Sequence, residues 1–262
     1  MNLTVQDIYH VLDAAAPFAL QESYDNSGLL VGAADAAVHH VLLALDITIP
    51  VVEEAVSLGA DLILSHHPVI WGGLKQIAPT HPVWHLIQHN ITAISSHTCM
   101  DIAPEGVNAV LEQLLRTGIG LQGEAKGLLS LSGGRNLGHC CALEKETTAE
   151  LLAKSLETVL GCKGLRYYTN GQSIRKVAWC GGSGGDLVGA ALACGADALI
   201  TGDVKHSEWC EAQNRSMTVI DCGHFFTEQP VLARFHTLLK DAFPLLQITE
   251  TTTLQSSIYS VL

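Results

Sequence analysis

Charge is scarce in this chain of 262 residues, and positive charge is scarcest. Charged residues make up 15%, with 14 Lys and Arg against 26 Asp and Glu, for a net charge of −12. Non-specific binding along a nucleic-acid backbone requires clustered Lys and Arg, so that class has no strong signal here. Long apolar runs are missing as well. No stretch approaches the ~20 residues of a membrane span, and the segment from Thr4 reads as an amphipathic helix carrying Asp7 and Asp13 rather than a secretory leader. The eight cysteines contain no Cys-x-x-Cys pair and no regular framework, and neighbours such as Cys140 and Cys141 rarely bridge. These absences predict a cytoplasmic protein with reduced thiols and no membrane association. The glycine run 181–185 lacks the Gly-x-Gly-x-x-Gly spacing and the lysine of a P-loop. It reads as a tight strand–helix turn ahead of a phosphate cradle.

What is present begins with apolar material, 48% of the chain, ample for a core. The length suits one large or two ordinary domains. Thr4 and Asp7 predict a capping box for a first helix with Val5, Ile8, Val11, Leu12 and Ala15 on its apolar face. Val41–Leu45, a helix opened by Pro50 and closed by Gly59, and Leu62–Ser65 form a βαβ unit. A helix from Pro82, a strand over Ile91–Ser95 and a helix from Val107 to near Gly118 follow. Residues 118–136 read as a linker or loose hairpin. Beyond them come a strand at Leu137–Leu143, a helix capped by Thr147 and Glu150, and a hairpin of Leu165–Thr169 with Ile174–Cys180 about an Asn170-Gly171 turn. The remaining elements are a strand at Ala198–Thr201, a helix over Lys205–Gln213, a strand at Met217–Asp221, a helix from Pro230 to Phe243 and a polar, strand-like tail ending at Leu262.

The chain repeats itself. Leu58-Gly59-Ala60-Asp61-Leu62-Ile63-Leu64-Ser65 matches Cys194-Gly195-Ala196-Asp197-Ala198-Leu199-Ile200-Thr201 at an offset of 136 (194 − 58). One strand later, His97 stands four before Asp101, and His224 stands four before Glu228. The expected fold is therefore α/β, with two similar halves facing each other across a dinuclear metal cleft. The first domain spans 1–125 and the second 126–262, with the C-terminal segment able to return to the first. Ligands gather at the carboxyl ends of parallel strands. At those ends the repeat is asymmetric: His66-His67 aligns with Gly202-Asp203.

His66, His67, Asp101, His224 and Glu228 form the candidate ligand set, with His97 close by. Imidazole and carboxylate without cysteine suit Zn, Fe or Mn in a hydrolytic site rather than a structural zinc. Five ligands are many for one ion with an open position. They fit two divalent ions, with the longer arm of Glu228 as the natural bridge. Three roles are open to His97: ligand, support behind a ligand, or general acid–base. Asp25, Asn26 and Asp46 either line the cleft or serve ordinary turns. Lys205 and His206 either meet an anionic substrate or begin a solvated helix. Trp71, Trp84, Trp179 and Trp209 read as core or contact aromatics, His39-His40 as exposed, and Cys99 and Cys222 as packed rather than reactive.

Tyr24-Asp25-Asn26-Ser27-Gly28-Leu29-Leu30-Val31-Gly32, Gly59-Ala60-Asp61 to His66-His67-Pro68, His97-Thr98 to Asp101, and Gly223-His224 to Glu228 together resemble the NIF3 family, also labelled GTP cyclohydrolase 1 type 2 homologues. The resemblance covers nearly the whole chain, in the short bacterial form without an inserted domain. It implies a dinuclear centre held by His66, His67, Asp101, His224 and Glu228, and a ring-shaped homohexamer. It also implies a metal-dependent hydrolase acting on a nucleotide or other small anionic substrate, by metal-activated water that opens the imidazole ring of GTP while His97 moves protons. The rival reading is a non-catalytic metal-binding scaffold or regulator. Two departures stand out: Cys99-Met100 where many members carry Asn and a small or apolar residue, and Asp203 where Glu is usual.

Overall fold

Short buried strands and longer or more exposed ones are interleaved with one-sided helices, and in the computed structural model, which describes residues 3–131 and 134–253, the strands assemble into two sheets. Each sheet belongs to its own compact unit.

The first unit contains α1 (Val5–Ala15), β1 (Gly28–Val31), β2 (His40–Ala44), α2 (Ile49–Leu58), β3 (Leu62–Ser65), α3 (Pro82–Gln88), β4 (Thr92–Ser95) and α4 (Thr98–Asp101). Thr4 and Asp7 close the expected capping box on α1. Strands β2, β3 and β4 are parallel, β1 runs antiparallel to β4, and every residue of β2, β3 and β4 is buried. Burial on both faces accounts for their continuous apolar runs. On one face Leu42, Ala44, Ile63 and Ala93 pack with Val51, Val52 and Ala55 of α2 and Leu86 of α3.

The second unit, Val107–Pro230, contains α5 (Val107–Ile119), β5 (Leu121–Ser130), β6 (Asn136–Thr147), α6 (Ala149–Leu160), β7 (Arg166–Tyr168), β8 (Ile174–Trp179), α7 (Val188–Ala193), β9 (Ala198–Thr201), α8 (His206–Asn214), β10 (Thr218–Asp221) and α9 (His224–Glu228). Its strand order is β5-β6-β8-β9-β10-β7. The period-two alternation of strands sorts the core into two layers. Val177, Trp179, Ala198, Ile200 and Ile220 pack with Leu111 and Leu115 of α5 and Leu152 and Leu156 of α6. Ala178, Leu199 and Val219 pack on the other face with Val188 and Ala191 of α7 and Ala212 of α8. Burial of α5 against α6 and this sheet puts the boundary between units at Gly106/Val107, ahead of the 125/126 division read from composition.

The chain returns to the first unit with α10 (Val231–Ala242) and β11 (Gln247–Glu250), which adds a parallel edge strand to β2. The strand-like tail expected beyond Thr253 lies outside the described residues. Among the described residues no helix is long and apolar enough to cross a membrane, and all eight cysteines are free thiols.

Several expectations need correction. β7 and β8 do not form a hairpin. β7 pairs with β10 at the sheet edge, whereas β8 lies between β6 and β9. The Asn170 amide donates to the Ser216 carbonyl (2.5 Å) ahead of β10 and carries the turn to that edge. Of the two readings offered for residues 118–136, the hairpin holds and the linker does not: residues 121–130 form a strand paired antiparallel with β6. Thr148, not Thr147, caps α6. His40 is buried, with Nε2 2.8 Å from Thr249 Oγ1. Trp179 is core, but Trp71 and Trp84 are 55% and 42% exposed.

Behind β11 the chain is fastened by one carboxylate. Glu54 on α2 accepts from Thr251 Oγ1, from Thr252 N and Oγ1 (2.8 and 2.7 Å) and from Thr253 N and Oγ1 (3.3 and 2.8 Å). Burial works to raise its pKa, but the bonds from Thr251, Thr252 and Thr253 outweigh it and bring the pKa down to about 2. A depressed carboxyl stabilises the fold above its unfolded pKa of about 4.3 and loses that contribution as pH falls through the folded value. Glu54→Gln is therefore expected to lower the melting temperature near neutral pH, with the gap to the parent closing as pH falls towards about 2. Thermal melts across that range check it; a gap independent of pH would exclude the assignment.

Candidate metal centre

In the first unit the site grows from the end of β3. His67 N donates to Leu45 O (2.9 Å), extending the ladder, and Ser65 Oγ and Ser95 Oγ donate to His67 O (2.7 and 3.1 Å). Two adjacent imidazoles are thereby fixed at the carboxyl edge of the sheet. His97 follows β4 and opens the single turn α4, whose Asp101 N donates back to His97 O (3.1 Å). The His-x-x-x-acid spacing is one helical turn, and it brings Asp101 Oδ1 to 3.4 Å from His66 Nε2. The rings of His66, His67 and His97 lie 5.0–5.4 Å apart, and one ligand atom from each lies within 4.8 Å of the others.

Each imidazole is held from behind through Nδ1. His66, wholly buried, donates to Ser96 O (2.8 Å), His67 to Asp46 Oδ1 (2.7 Å) and His97 to Asp25 Oδ1 (2.8 Å). A neutral ring carrying its proton on Nδ1 presents its lone pair at Nε2, the arrangement a metal ligand or a general base requires. Asp25 is the most deeply committed of these acceptors, with no exposed side-chain surface. It also receives Thr98 N (3.0 Å), Thr98 Oγ1 (2.5 Å) and Ser27 Oγ (2.9 Å). Burial works to raise its pKa, but the bonds from His97 and Thr98 hold it well below the usual carboxylate range.

In the second unit α9 places His224 and Glu228 on one face, Nε2 to Oε2 2.8 Å. Asp203, which the repeat aligns with His67, supports His224 at Nδ1 (3.0 Å). Asp203 holds a φ of +48°, which Asp tolerates better than most residues. Burial works to lower the His224 pKa, but the flanking Glu228 and Asp203 carboxylates push it up to about 9. The glycines here make room. A Cβ on Gly182 would sit 2.1 Å from Glu228 Oε1, and one on Gly202 would sit 2.5 Å from His224 N. The run 181–185 is thus a seat for Glu228, and at Gly185 for Glu208, rather than a phosphate cradle. Lys205 N-caps α8 and pairs with Glu208 (3.3 Å), as the start of a solvated helix should.

The structure therefore gathers His66, His67, His97 and Asp101 in one unit, and His224 with Glu228 in the other. The carboxylate oxygens and the Nε2 atoms of His66, His67 and His97 form a set that fits a divalent cation, and a bound ion would have to displace the Nε2 proton that His224 directs at Glu228. Sequence reading underrated the supports Asp25, Asp46 and Asp203. Their signal was slight: an acid in a turn just before or after a strand, which ordinary turn chemistry also explains.

Removing Asp25 leaves buried donors without their acceptor, each worth about 1–3 kcal/mol. Asp25→Ala is expected to cost about 2–4 kcal/mol in denaturant unfolding. Asp25→Asn is expected to recover much of that stability while weakening the hold on the His97 Nδ1 proton, read by ¹⁵N NMR of the imidazoles. An unchanged tautomer in both variants would rule out this role for Asp25.

Comparison with known proteins bears on the family and the fold. The chain is 33% identical over 244 residues to a GTP cyclohydrolase 1 type 2 homolog of Clostridium perfringens, covering 91% of this chain and 92% of that protein. It is 33% identical over 232 residues to one of Campylobacter jejuni, covering 87% and 88%. Among solved structures, a hypothetical protein of Staphylococcus aureus superposes with a TM-score of 0.89 at 27% identity, covering 100% of both chains. A Bacillus cereus protein related to NIF3 shares the fold, with a TM-score of 0.88 at 22% identity and 100% of both chains covered. Residues 3–257 match the family Duf34/NIF3 (NGG1p interacting factor 3), and the chain belongs to that family.

Proposed function

We propose that the two clusters of imidazole and carboxylate form one dinuclear centre, and that the protein is a metal-dependent hydrolase. His66, His67 and Asp101 from the first unit and His224 and Glu228 from the second would hold two divalent ions, Zn, Fe or Mn. The observation that carries this is the set of Nδ1 tethers, which leave Nε2 as the donor atom on three buried or half-buried imidazoles, together with the clustering of the three rings, one ring nitrogen of each lying within 4.8 Å of the others. Bound ions would supply Lewis-acid activation of water and neutralise developing negative charge.

The relatives' name points to GTP as the substrate to test first. Opening its imidazole ring consumes one water and leaves a formamide; a second water releases formate. In the first step His97, its Nδ1 proton held by Asp25, takes a proton at Nε2 from the attacking water and returns it to the departing ring nitrogen. Glu228 and His224 stay in place because Gly182 and Gly202 leave them room. The free thiols are in keeping with a cytoplasmic setting. Following the family resemblance, we also propose a ring-shaped homohexamer, for which light scattering is expected to give six chains per particle.

Elemental analysis is expected to find two ions per chain in the purified protein, and one or fewer in His66→Ala or Glu228→Ala. Gly182→Ala, which drives a methyl into Glu228, is expected to lower metal content with far-UV circular dichroism unchanged. Protein loaded with Zn, Mn or Fe is expected to release formate from GTP, and the two ligand variants to release none. Metal-replete protein that leaves GTP intact would remove that reaction and favour the scaffold reading.

A further inference from the structure

Large aromatic side chains are normally buried, and those left at the surface beside a polar cluster mark recognition sites. The first unit displays two of them next to His97. Trp71 is 55% exposed, yet its ring stands edge-to-face with His97, centroids 5.1 Å apart and planes at 86°. Tyr24, 69% exposed, adjoins Asp25, the residue that holds His97. The two segments are joined, since the Asn26 amide donates to Ile70 O (2.9 Å). Neither aromatic belongs to the core packed around the sheet.

Trp71 also sits on a particular loop. The chain leaves the site at His67 and Pro68, and continues through Trp71-Gly72-Gly73-Leu74 to Lys75, exposed throughout from Trp71. Gly72 holds a φ of +65° with open space around it. One loop therefore offers an indole and, within at most about 14 Å of chain, an ammonium. An exposed indole stacks on any flat π-system, and an ammonium attracts an anion.

We propose that Trp71 is the stacking platform for a flat heteroaromatic ring presented to His97, and that Lys75 receives the anionic tail of the same molecule. The ligand class is a purine nucleotide. This deepens the hydrolase reading and rests on it for the choice of guanine nucleotides as probes. The loop after His67 supplies ring recognition, while the metal ligands and His97 supply chemistry.

Calorimetric titration of the full chain with GTP, guanosine and inorganic tripolyphosphate tests it. Trp71→Ala is expected to weaken GTP and guanosine by about tenfold or more, the usual effect of removing an aromatic stacked on a base. Trp71→Phe is expected to stay within about threefold of the parent. Lys75→Ala is expected to weaken GTP and tripolyphosphate while sparing guanosine. Metal content is expected to be the same in all three variants, since the side chain that Trp71 is seen to stack on is His97, assigned as the acid–base group rather than among the five proposed ligands. The proposal is overturned if Trp71→Ala binds guanosine as the parent does, if the parent binds none of the probes, or if Trp71→Ala changes only the number of chains per particle. Loss of nucleotide affinity in Trp71→Ala together with no formate release by the parent would keep the platform and remove the hydrolytic reading. Formate release with unchanged Trp71→Ala affinity would do the reverse.

Discussion

Every imidazole in the candidate ligand and acid–base set is held through Nδ1 by an oxygen whose place the fold sets: a β4-end carbonyl for His66, and the carboxylates of Asp46, Asp25 and Asp203 for His67, His97 and His224. A histidine has two nitrogens and, when neutral, one proton. Fixing that proton on Nδ1 decides the chemistry of Nε2. The rest of the site follows from where the four acceptors stand. Three of these acceptors are carboxylates and one is a backbone carbonyl.

The same requirement accounts for the asymmetry of the repeat. Strand–helix–strand followed by a strand and a one-turn helix occurs in each unit, with β2, β3 and β4 and then β8, β9 and β10 in parallel order. At the position where the first unit has His66, the second has Gly202, because the backbone at His224 approaches so closely that no side chain fits. At the position of His67 it has Asp203, which turns from ligand type to support and serves His224. One unit thus spends these two positions on imidazoles, and the other on space and a hydrogen-bond acceptor.

Much of this was legible in the chain. The parallel strands could be read from continuous apolar runs, the α1 cap from Thr4 and Asp7, and the likeness of the halves from the 136-residue offset. The histidines and acids stood out because polar residues directly after a buried strand are unusual. Other features were not legible. The Asn170-Gly171 turn has hairpin chemistry, yet β7 leaves for the far edge of the sheet, since local turn preference cannot see Ser216 and β10. Trp71 and Trp84 read as core or contact aromatics, and tertiary structure settles which: the loop after Pro68 leaves Trp71 at the surface, and Trp84 lies on the side of α3 away from buried Val83 and Leu86.

By itself the sequence determined the α/β class, the repeat, the family and the residue types of the candidate ligand set, because these depend on periodicity and on local chemistry. Tertiary structure alone decided which nitrogen of each ring is held, why glycine occupies 182 and 202, and that Asp25 belongs to His97. Those are relations between segments far apart in the chain, such as Asp25 with His97 and Gly182 with Glu228. Only the packing of the sheets and their loops brings such segments within hydrogen-bonding or van der Waals distance.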